Sequence, residues 1–499
     1  MNNGSSFDPG HFYSAWKANY DNGNMDNFCL DQNGNRTPCP NPGSPSPYSY
    51  IQPSDVAPYY SIATTYGFAN YMFQTNEGPS FPAHQFLFTG TSAPVAPNDP
   101  QNLFWDFVQD NPPNKTNGFD YSGCPYDANA TPPSPAPPWI EPDRTTIPSQ
   151  NLVIPYQCYT HDSLMTGSTC TNGVCDKYPN LTWTYYSPTP NGIIWNAPEA
   201  IPEVCYGENN TSHAGQGIAC GSENGGTEWN SHMSFYANST LTAAQIFTDI
   251  SSCKLANISW VIPDVAWSDH PSFDGTKPAL GPSWVADIVN AIANSYANSG
   301  SKCDYWGTNS SSAEPTAIFI VWDDWGGFDD HVAPYEVLTG SQQGSSWNCP
   351  SPATNQWGCG YTYGFRVPFM VVSEFTGTLS NGQYSGYISG ACGTGTTPQC
   401  PNLQNPYVHD FGSILAFTEY NFSLAPRFIA QPLYADYNAL DWGPLRTNIP
   451  LSDFLGSGRA RTLWGGRSCR YPPRSRPVFS RTTTPQPVQH LQAQIRIDG

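Results

Sequence analysis

The chain has 499 residues, of which 38% are hydrophobic and 14% aromatic, so it can bury a large core and does not have the composition of a disordered protein. Nineteen basic residues face 39 acidic ones, and the net charge of −20 disfavours nucleic acid and anionic membranes as partners. No run of about 18 apolar residues occurs, so no integral membrane segment is predicted.

Apolar runs and helical repeats alternate along the chain. Runs typical of buried strands are QFLFTG (85–90), NLVIPY (151–156), ISWVIP (258–263), AIFIVW (317–322) and RVPFMVVSEF (366–375). Apolar residues recur at helical spacing in 60–73, 281–300 and 409–422, and Gly300 is a plausible helix end. This alternation predicts a layered α/β fold around a mostly parallel central sheet.

The cysteines predict an oxidising environment. There are 15 of them, most in loops rich in Gly, Asn and Pro, and no C-x-x-C pair that would indicate a zinc ribbon. The close pairs are Cys29 with Cys39, Cys170 with Cys175, Cys205 with Cys220, Cys349 with Cys359 and Cys392 with Cys400. We therefore expect disulfide-bearing loops and a secreted or periplasmic protein, although the first ten residues do not have the pattern of a signal peptide.

The composition changes near residue 457. Eight of the 19 basic residues, all arginines, lie from Gly458 onward with a single acid, Asp498. We predict one domain over 1–456 and a separate Arg-rich tail over 457–499 that is either disordered or read out of frame, with a basic interaction arm as the alternative.

The segment IFIVWDDWGGFDDHVAP (318–334) concentrates four aspartates in a chain that is only 12% charged. Asp323 and Asp324 directly follow a predicted strand, at the end where ligand sites of parallel sheets gather. A hard divalent cation would relieve the repulsion between two such carboxylates. The segment alone leaves two alternatives open, a metal site and an acidic surface turn.

Ser80, in EGPSFPAHQFLFTG (77–90), is predicted to begin a helix. A hydroxyl at a helix N-terminus faces unpaired N–H groups and the positive end of the helix dipole, which suits phosphate. From this stretch alone, a simple capping serine is the commoner interpretation.

Four histidines lie at predicted junctions between loops and regular elements: His11, His270, His331 and His409. Three of them are next to an aspartate. A single such histidine is more often structural, but the set favours a site. No P-loop, dinucleotide-binding or G-x-S-x-G motif is present.

Five segments together resemble the bacterial phosphoesterase family, which contains acid phosphatases and phospholipases C on an alkaline-phosphatase-like fold. They are HFYSAWKANYDNGNMDNF (11–28), EGPSFPAHQFLFTGTS (77–92), VIPDVAWSDHPS (261–272), DDWGGFDDHVAP (323–334) and VHDFGSILAFTEYNF (408–422), in the family's order. The resemblance implies a three-layer α/β/α fold and hydrolysis of a phosphate ester.

The resemblance also implies roles for individual residues. Ser80 would be the nucleophile that forms a phosphoserine, and it would share one divalent metal ion with Asp323 and Asp324. His11, His270 and His331 would line the phosphate pocket, with Asp330 orienting His331. His409 and Asp410 would support the site.

Two departures from the family pattern keep alternatives open. No Glu-Asn precedes the Ser-Phe-Asp of residues 6–8, so two metal ligands and the first strand of the domain are expected to be missing, and a catalytically impaired homologue is one alternative. Ala83-His84 stands where the phospholipases more usually have Asn-Arg. This favours a phosphomonoesterase over a phospholipase C, whose substrate would be a phospholipid head group. A secreted carbohydrate-binding protein is a weaker alternative, because no paired glutamates stand out.

Overall fold

A computed structural model gives the structure of the protein. It describes residues 10–11, 13–26, 28, 50–77, 80–89, 182–188, 196–200, 232–235, 245–264, 267–270, 280–307, 313–334, 336–337, 361–376, 378–380, 383–389, 408–422, 451 and 454.

The main sheet has four strands in the order β12-β1-β9-β6. They are β1 (Gly67–Ala69), β6 (Ile318–Val321), β9 (Phe369–Val372) and β12 (Tyr387–Ser389). Strand β1 pairs parallel with β12 and antiparallel with β9, and β9 pairs antiparallel with β6. Because β6 lies at one end of this strand order, its four residues are only half-buried.

A second sheet is parallel throughout, with the order β4-β3-β5. Its strands are β3 (Trp183–Ser187), β4 (Met233–Phe235) and β5 (Ile258–Val261). Three two-stranded pairs complete the described strands. They are β2 (Met72–Phe73) with β13 (His409–Asp410), β7 (Glu336–Val337) with β8 (Tyr361–Thr362), and β10 (Thr378–Ser380) with β11 (Gln383–Ser385).

The described helices are α1 (Tyr13–Tyr20), α2 (Ala57–Thr65), α3 (Ser80–Thr89), α4 (Gln245–Ser251), α5 (Gly281–Ala293), α6 (Ser295–Asn298) and α7 (Phe411–Phe422), with 3-10 turns at Asp21–Gly23 and Ala197–Ala200. Helix α5 begins with Pro at its second position, where a missing N–H costs nothing. Beyond α6, Gly300 adopts φ +65°, the left-handed conformation expected of a residue that ends a helix.

Strand β9 carries apolar side chains into a core on each of its faces. Phe369 and Val371 join a core with residues of α3 and α7, whereas Met370 and Val372 join a core with residues of α2, α4 and α5. This alternation follows the two-residue period of a strand. Helices therefore pack on both sides of β9, which explains why its sequence is a continuous apolar run.

The α/β fold with parallel sheet segments is confirmed, with differences in detail. The runs at 258–263, 317–322 and 366–375 contain β5, β6 and β9. A mostly parallel central sheet was predicted, but β9 pairs antiparallel with both β1 and β6, so two of the three described pairings of the main sheet are antiparallel. The strand predicted at 85–90 is wrong, because those residues up to Thr89 belong to α3. The helix predicted over 60–73 ends at Thr65 and is followed by β1 and β2. The run NLVIPY and the tail 457–499 lie outside the described residues.

Cys253 and Cys303 form a disulfide that joins the end of α4 to the segment after α6. This pair was not among the close pairs in the sequence, and those pairs lie outside the described residues. Within the part of the chain that the structure describes, no helix is both long and apolar enough to cross a membrane.

Candidate active site

The chain turns sharply where β6 ends. Strand β6 ends at Val321, and Trp322, Asp323 and Asp324 follow it in that order. Gly326 and Gly327 then adopt φ values of +64° and +73°. The Gly326 N–H donates a 2.7 Å hydrogen bond to Asp324 Oδ1, which fixes the carboxylate against the turn. The two glycines thus allow a tight turn whose positive φ values are unfavourable for residues with a β-carbon.

Ser80 is the first residue of α3, and its side chain is buried there. Its hydroxyl donates to Asp324 Oδ2 at 2.9 Å, across 244 residues of sequence. The predicted nucleophile and one predicted metal ligand are therefore in direct contact. A buried hydroxyl that donates to a carboxylate has its oxygen lone pairs left for a phosphorus atom or a cation.

His84 lies one helical turn after Ser80, on the same face of α3. Its Nε2 is 3.2 Å from Asp323 Oδ2, and its side chain is 10% exposed. Although burial alone raises the pKa of Asp323, the hydrogen bond and the charge of His84, with the nearby Ser80 hydroxyl, lower that pKa below its ordinary value. Asp323 is therefore held as a carboxylate.

Asp324 behaves differently from its neighbour. Burial raises the pKa of Asp324 to about 6; the charge of His11 opposes this shift, and the negative charge of Asp323 adds to it. Two close carboxylates and a hydroxyl form a set of oxygen donors with an excess of negative charge, which a hard divalent cation would neutralise.

These residues fit such a cation only as a partial shell. Among the described residues, no group of three or more His, Cys, Asp or Glu side chains is placed to hold a metal. Asp323, Asp324 and Ser80 would supply three oxygen ligands. A cation of the magnesium type usually keeps several waters and takes one or two protein carboxylates together with substrate phosphate.

Two further predicted histidines meet beside the carboxylates. The rings of His11 and His270 pack edge to face with their centroids 5.2 Å apart. The charge of His270 lowers the pKa of Asp323, and the charge of His11 lowers that of Asp324. The pair therefore faces the carboxylates with potential proton donors.

An aromatic cluster fixes His11. Trp16 of α1 packs on Phe365, and Trp325 packs edge-on against Phe365 with centroids 5.0 Å apart. Trp325 in turn lies edge-on to His11 at 6.4 Å. Because Trp325 directly follows Asp324, the same cluster holds α1 and the carboxylate turn together.

Asp330 and His331 have partners different from those of Asp323 and Asp324. Arg366 donates two 2.7 Å hydrogen bonds to Asp330, from Nε to Oδ2 and from Nη2 to Oδ1. His331 is 69% exposed, and its Nδ1 is 3.8 Å from Asp330 Oδ1. The strongest partner of Asp330 is thus Arg366, and His331 extends towards solvent.

His409 and Asp410 anchor the start of α7. Asp410 Oδ1 accepts from the Ser413 N–H at 3.1 Å, and Ser413 Oγ accepts from the Asp410 N–H, which is the geometry of a helix cap. The buried His409 shares a 2.8 Å hydrogen bond with Ser389 on β12. This pair links β12 to α7.

Sequence reasoning did not assign a role to three residues that contact acidic side chains in or next to the candidate site. His84 was noticed only as a departure from the family pattern, whereas the structure places it on Asp323. Arg366 and Tyr59 reach their carboxylate partners, Asp330 and Asp269, across 36 and 210 residues. The spacing of His84 from Ser80 is the one local signal that could have revealed it.

A sequence model of the Phosphoesterase family matches residues 2–425. The chain belongs to this family. The resemblance carried by the five segments is thereby confirmed.

Curated relatives are similar to parts of this phosphoesterase. A non-hemolytic phospholipase C of Burkholderia pseudomallei is 31% identical over 135 residues, which are 26% of this chain and 17% of that protein. Phospholipase C A of Mycobacterium tuberculosis is 26% identical over 150 residues (29% of this chain and 25% of the relative), and phospholipase C B is 29% identical over 132 residues (26% and 22%). The chain thus matches a quarter or less of the length of these relatives.

Proposed function

We propose that this phosphoesterase hydrolyses phosphate esters through a phosphoserine formed on Ser80, in the manner of an acid phosphatase. The observation that carries the proposal is the contact between the buried Ser80 hydroxyl and Asp324, beside Asp323 and the His11–His270 pair. Family membership and relatives named phospholipase C support a hydrolase acting on phosphoester bonds. The packing of helices on both faces of β9 is compatible with the three-layer, alkaline-phosphatase-like arrangement.

In the first step, the Ser80 oxygen attacks phosphorus, the bond from phosphorus to the ester oxygen breaks, and the alcohol leaves. Asp324 accepts the hydrogen bond of the hydroxyl and is the group placed to take its proton. The leaving oxygen takes a proton from His270 or His11, which lie edge to face next to the carboxylates. In the second step, water attacks the phosphoserine and releases phosphate and the Ser80 hydroxyl.

Asp323, Asp324 and Ser80 would hold one divalent cation, which when bound would favour the ionised serine and offset charge on the phosphate oxygens. His84 keeps Asp323 ionised and oriented for this role. His331 and Asp330 are proposed to act at the rim of the pocket, where an exposed imidazole can meet an incoming substrate.

The decisive test is the Ser80→Ala variant of the full chain, assayed with p-nitrophenyl phosphate and added divalent cations. We expect a fall in turnover of roughly a thousandfold or more, because no other hydroxyl replaces a lost nucleophile. Ser61→Ala, on the exposed face of α2, is the matched control and should keep its activity. Acid-quenched wild-type protein should carry phosphate on Ser80 by mass spectrometry. Full activity of Ser80→Ala would end the proposal.

A phospholipase C is the second candidate, and the names of the relatives favour it. His84, at a position where the phospholipases more usually have arginine, favours the phosphomonoesterase. Turnover of phosphatidylcholine vesicles measured beside p-nitrophenyl phosphate separates the two. A phospholipase C would release phosphocholine from the vesicles faster than it releases p-nitrophenol. A chain that hydrolyses neither ester would instead be the catalytically impaired homologue. A secreted or periplasmic location agrees with the Cys253–Cys303 disulfide, and fractionation of producing cells would test it.

A further inference from the structure

Asp269, the residue before His270, has an unusual backbone conformation. Its φ is +62°, in the left-handed region that residues other than glycine seldom adopt. Its carboxylate turns into the protein, where the Tyr59 hydroxyl donates to Oδ2 at 2.7 Å. Aspartate is one of the few residues that tolerate this conformation. The conformation changes the direction of the backbone immediately before His270.

The first residue of α5 completes the seat of this carboxylate. The Asp269 carboxylate lies against the backbone of Gly281, where an added β-carbon would overlap it, and the Gly281 amide lowers the pKa of Asp269. The start of a 13-residue helix carries the positive end of its dipole, which favours a negative charge there. The absence of a side chain at Gly281 is therefore what allows the contact.

The anchored aspartate controls the backbone from which His270 extends. The His270 N–H donates to Ser268 Oγ at 3.2 Å, so the turn is fixed on both sides of Asp269. From this turn, the His270 ring reaches its edge-to-face contact with His11. Tyr59 also packs edge-on against Trp322, with centroids 4.9 Å apart, and Trp322 directly precedes Asp323. Tyr59 thus contacts both Asp269, which precedes His270, and Trp322, which precedes Asp323.

We propose that Asp269 is a positioning residue that, seated between Tyr59 and the start of α5, sets the His270 imidazole beside His11 and Asp323. Asp269 does not contact the reacting atoms and acts only through His270. This inference rests on the proposed function, since it assigns a positioning residue to the same site.

The test is a double-mutant cycle in the full chain with Asp269→Asn, His270→Ala and the two combined, assayed with p-nitrophenyl phosphate. Asparagine keeps the shape of the side chain and tolerates the left-handed backbone, so the change replaces one carboxylate oxygen with an amide group and leaves the backbone turn possible. We expect kcat to fall roughly tenfold or more in Asp269→Asn, because a small displacement of a catalytic group is costly. Added to His270→Ala, the same change should cause no further fall. Equal losses in both backgrounds would overturn the proposal.

Two more measurements separate positioning from a general structural effect. The ring ¹⁵N resonances of His270 should shift in Asp269→Asn while those of the exposed His331 stay in place, and unchanged His270 resonances would contradict the proposal. Tyr59→Phe keeps the ring on Trp322 but removes the hydrogen bond, and it should lower kcat in the same direction. Tyr60→Phe, on the exposed side of the same helix, is its control.

The outcomes distinguish this inference from the proposed function. If Ser80→Ala abolishes turnover while Asp269→Asn leaves it unchanged, the inference is wrong and the proposed function stands. If the wild-type chain hydrolyses no phosphate ester, the proposed function fails, and the His270 resonances alone decide whether Asp269 sets the ring.

Discussion

Two pairs of acidic residues in one short segment have different partners. Asp323 contacts His84 and Asp324 contacts Ser80, both from α3. Beyond the two glycines, Asp329 is exposed and Asp330 is bound by Arg366. The density of carboxylates in the sequence therefore does not mark one site. The turn at Gly326 and Gly327 divides the segment into an inner half, which contacts α3, and an outer half, which contains the exposed Asp329 and His331.

Asp324→Asn should have the largest effect on this division. It removes the carboxylate that accepts the Ser80 hydrogen bond, so hydrolysis of p-nitrophenyl phosphate should fall roughly a thousandfold. Asp329→Asn, five positions later in the outer half, should stay within about twofold of wild type because its side chain is exposed. Equal losses in both variants would remove the distinction between the halves.

His84 extends the inner half to α3, and its removal should have the next largest effect. In His84→Ala, Asp323 loses the partner that keeps it ionised and oriented. If Asp323 is the metal ligand that we propose, activity should fall about 10- to 100-fold, as when other residues that support a metal ligand are removed. His84→Gln retains a donor near the position of Nε2 and should lose less. The concentration of divalent cation needed for half-maximal activity should rise in the same order, and an unchanged cation requirement in His84→Ala would contradict the role.

Asp269 sharpens the comparison because it is a partly buried acid whose described hydrogen-bond donor is the neutral Tyr59 hydroxyl. Burial raises the pKa of Asp269 from 3.8 to about 6, although the Tyr59 hydrogen bond opposes the shift. Since the unfolded chain ionises first, the free energy of unfolding falls as pH rises from about 4 to about 6. A shift of this size corresponds to at most about 3 kcal/mol.

Urea denaturation at pH 4 and pH 7 checks this pH dependence. The wild type should lose up to about 3 kcal/mol more stability over that interval than Asp269→Asn, which cannot ionise. The same loss in both proteins would show that the seat of Asp269 accommodates its charge.

Arg366→Leu should have the smallest of these effects and should act on stability rather than on chemistry. It leaves Asp330, whose side chain is 14% exposed, without the two hydrogen bonds from Arg366, at a cost of about 2 kcal/mol in the free energy of unfolding. His331→Ala should change that free energy by less than about 0.5 kcal/mol, because the imidazole is 69% exposed. A larger stability loss in His331→Ala than in Arg366→Leu would reverse the assignment of partners.

Local patterns in the sequence predicted the elements that carry the site. The apolar run before Asp323 is a strand, and Ser80 begins a helix, because periodicity and helix-start signals are properties of neighbouring residues. The same reasoning failed at 85–90. Helix α3 buries Ala83, Phe86 and Phe88 together with His84, so too little of its circumference is polar to show a helical period.

The contacts that orient the site could not be predicted in this way. Tyr59 meets Asp269 across 210 residues, and Ser80 meets Asp324 across 244. Such pairings depend on how helices and strands pack in the folded chain. A single sequence does not indicate which of many distant residues will come into contact. Arg366 has the same explanation: it lies within the apolar run of β9, and only the fold shows that it faces Asp330.

The disulfide between Cys253 and Cys303 has a consequence for the stability of the chain around His270. The 50-residue loop that it closes contains Asp269, His270 and all of α5. Closing a loop of this length removes about 4 kcal/mol of chain entropy from the unfolded state in the usual estimate. Ser80, Asp323 and Asp324 lie outside the loop. The redox state of the surroundings thus enters the stability of the folded chain directly, through the loop that carries Asp269 and His270.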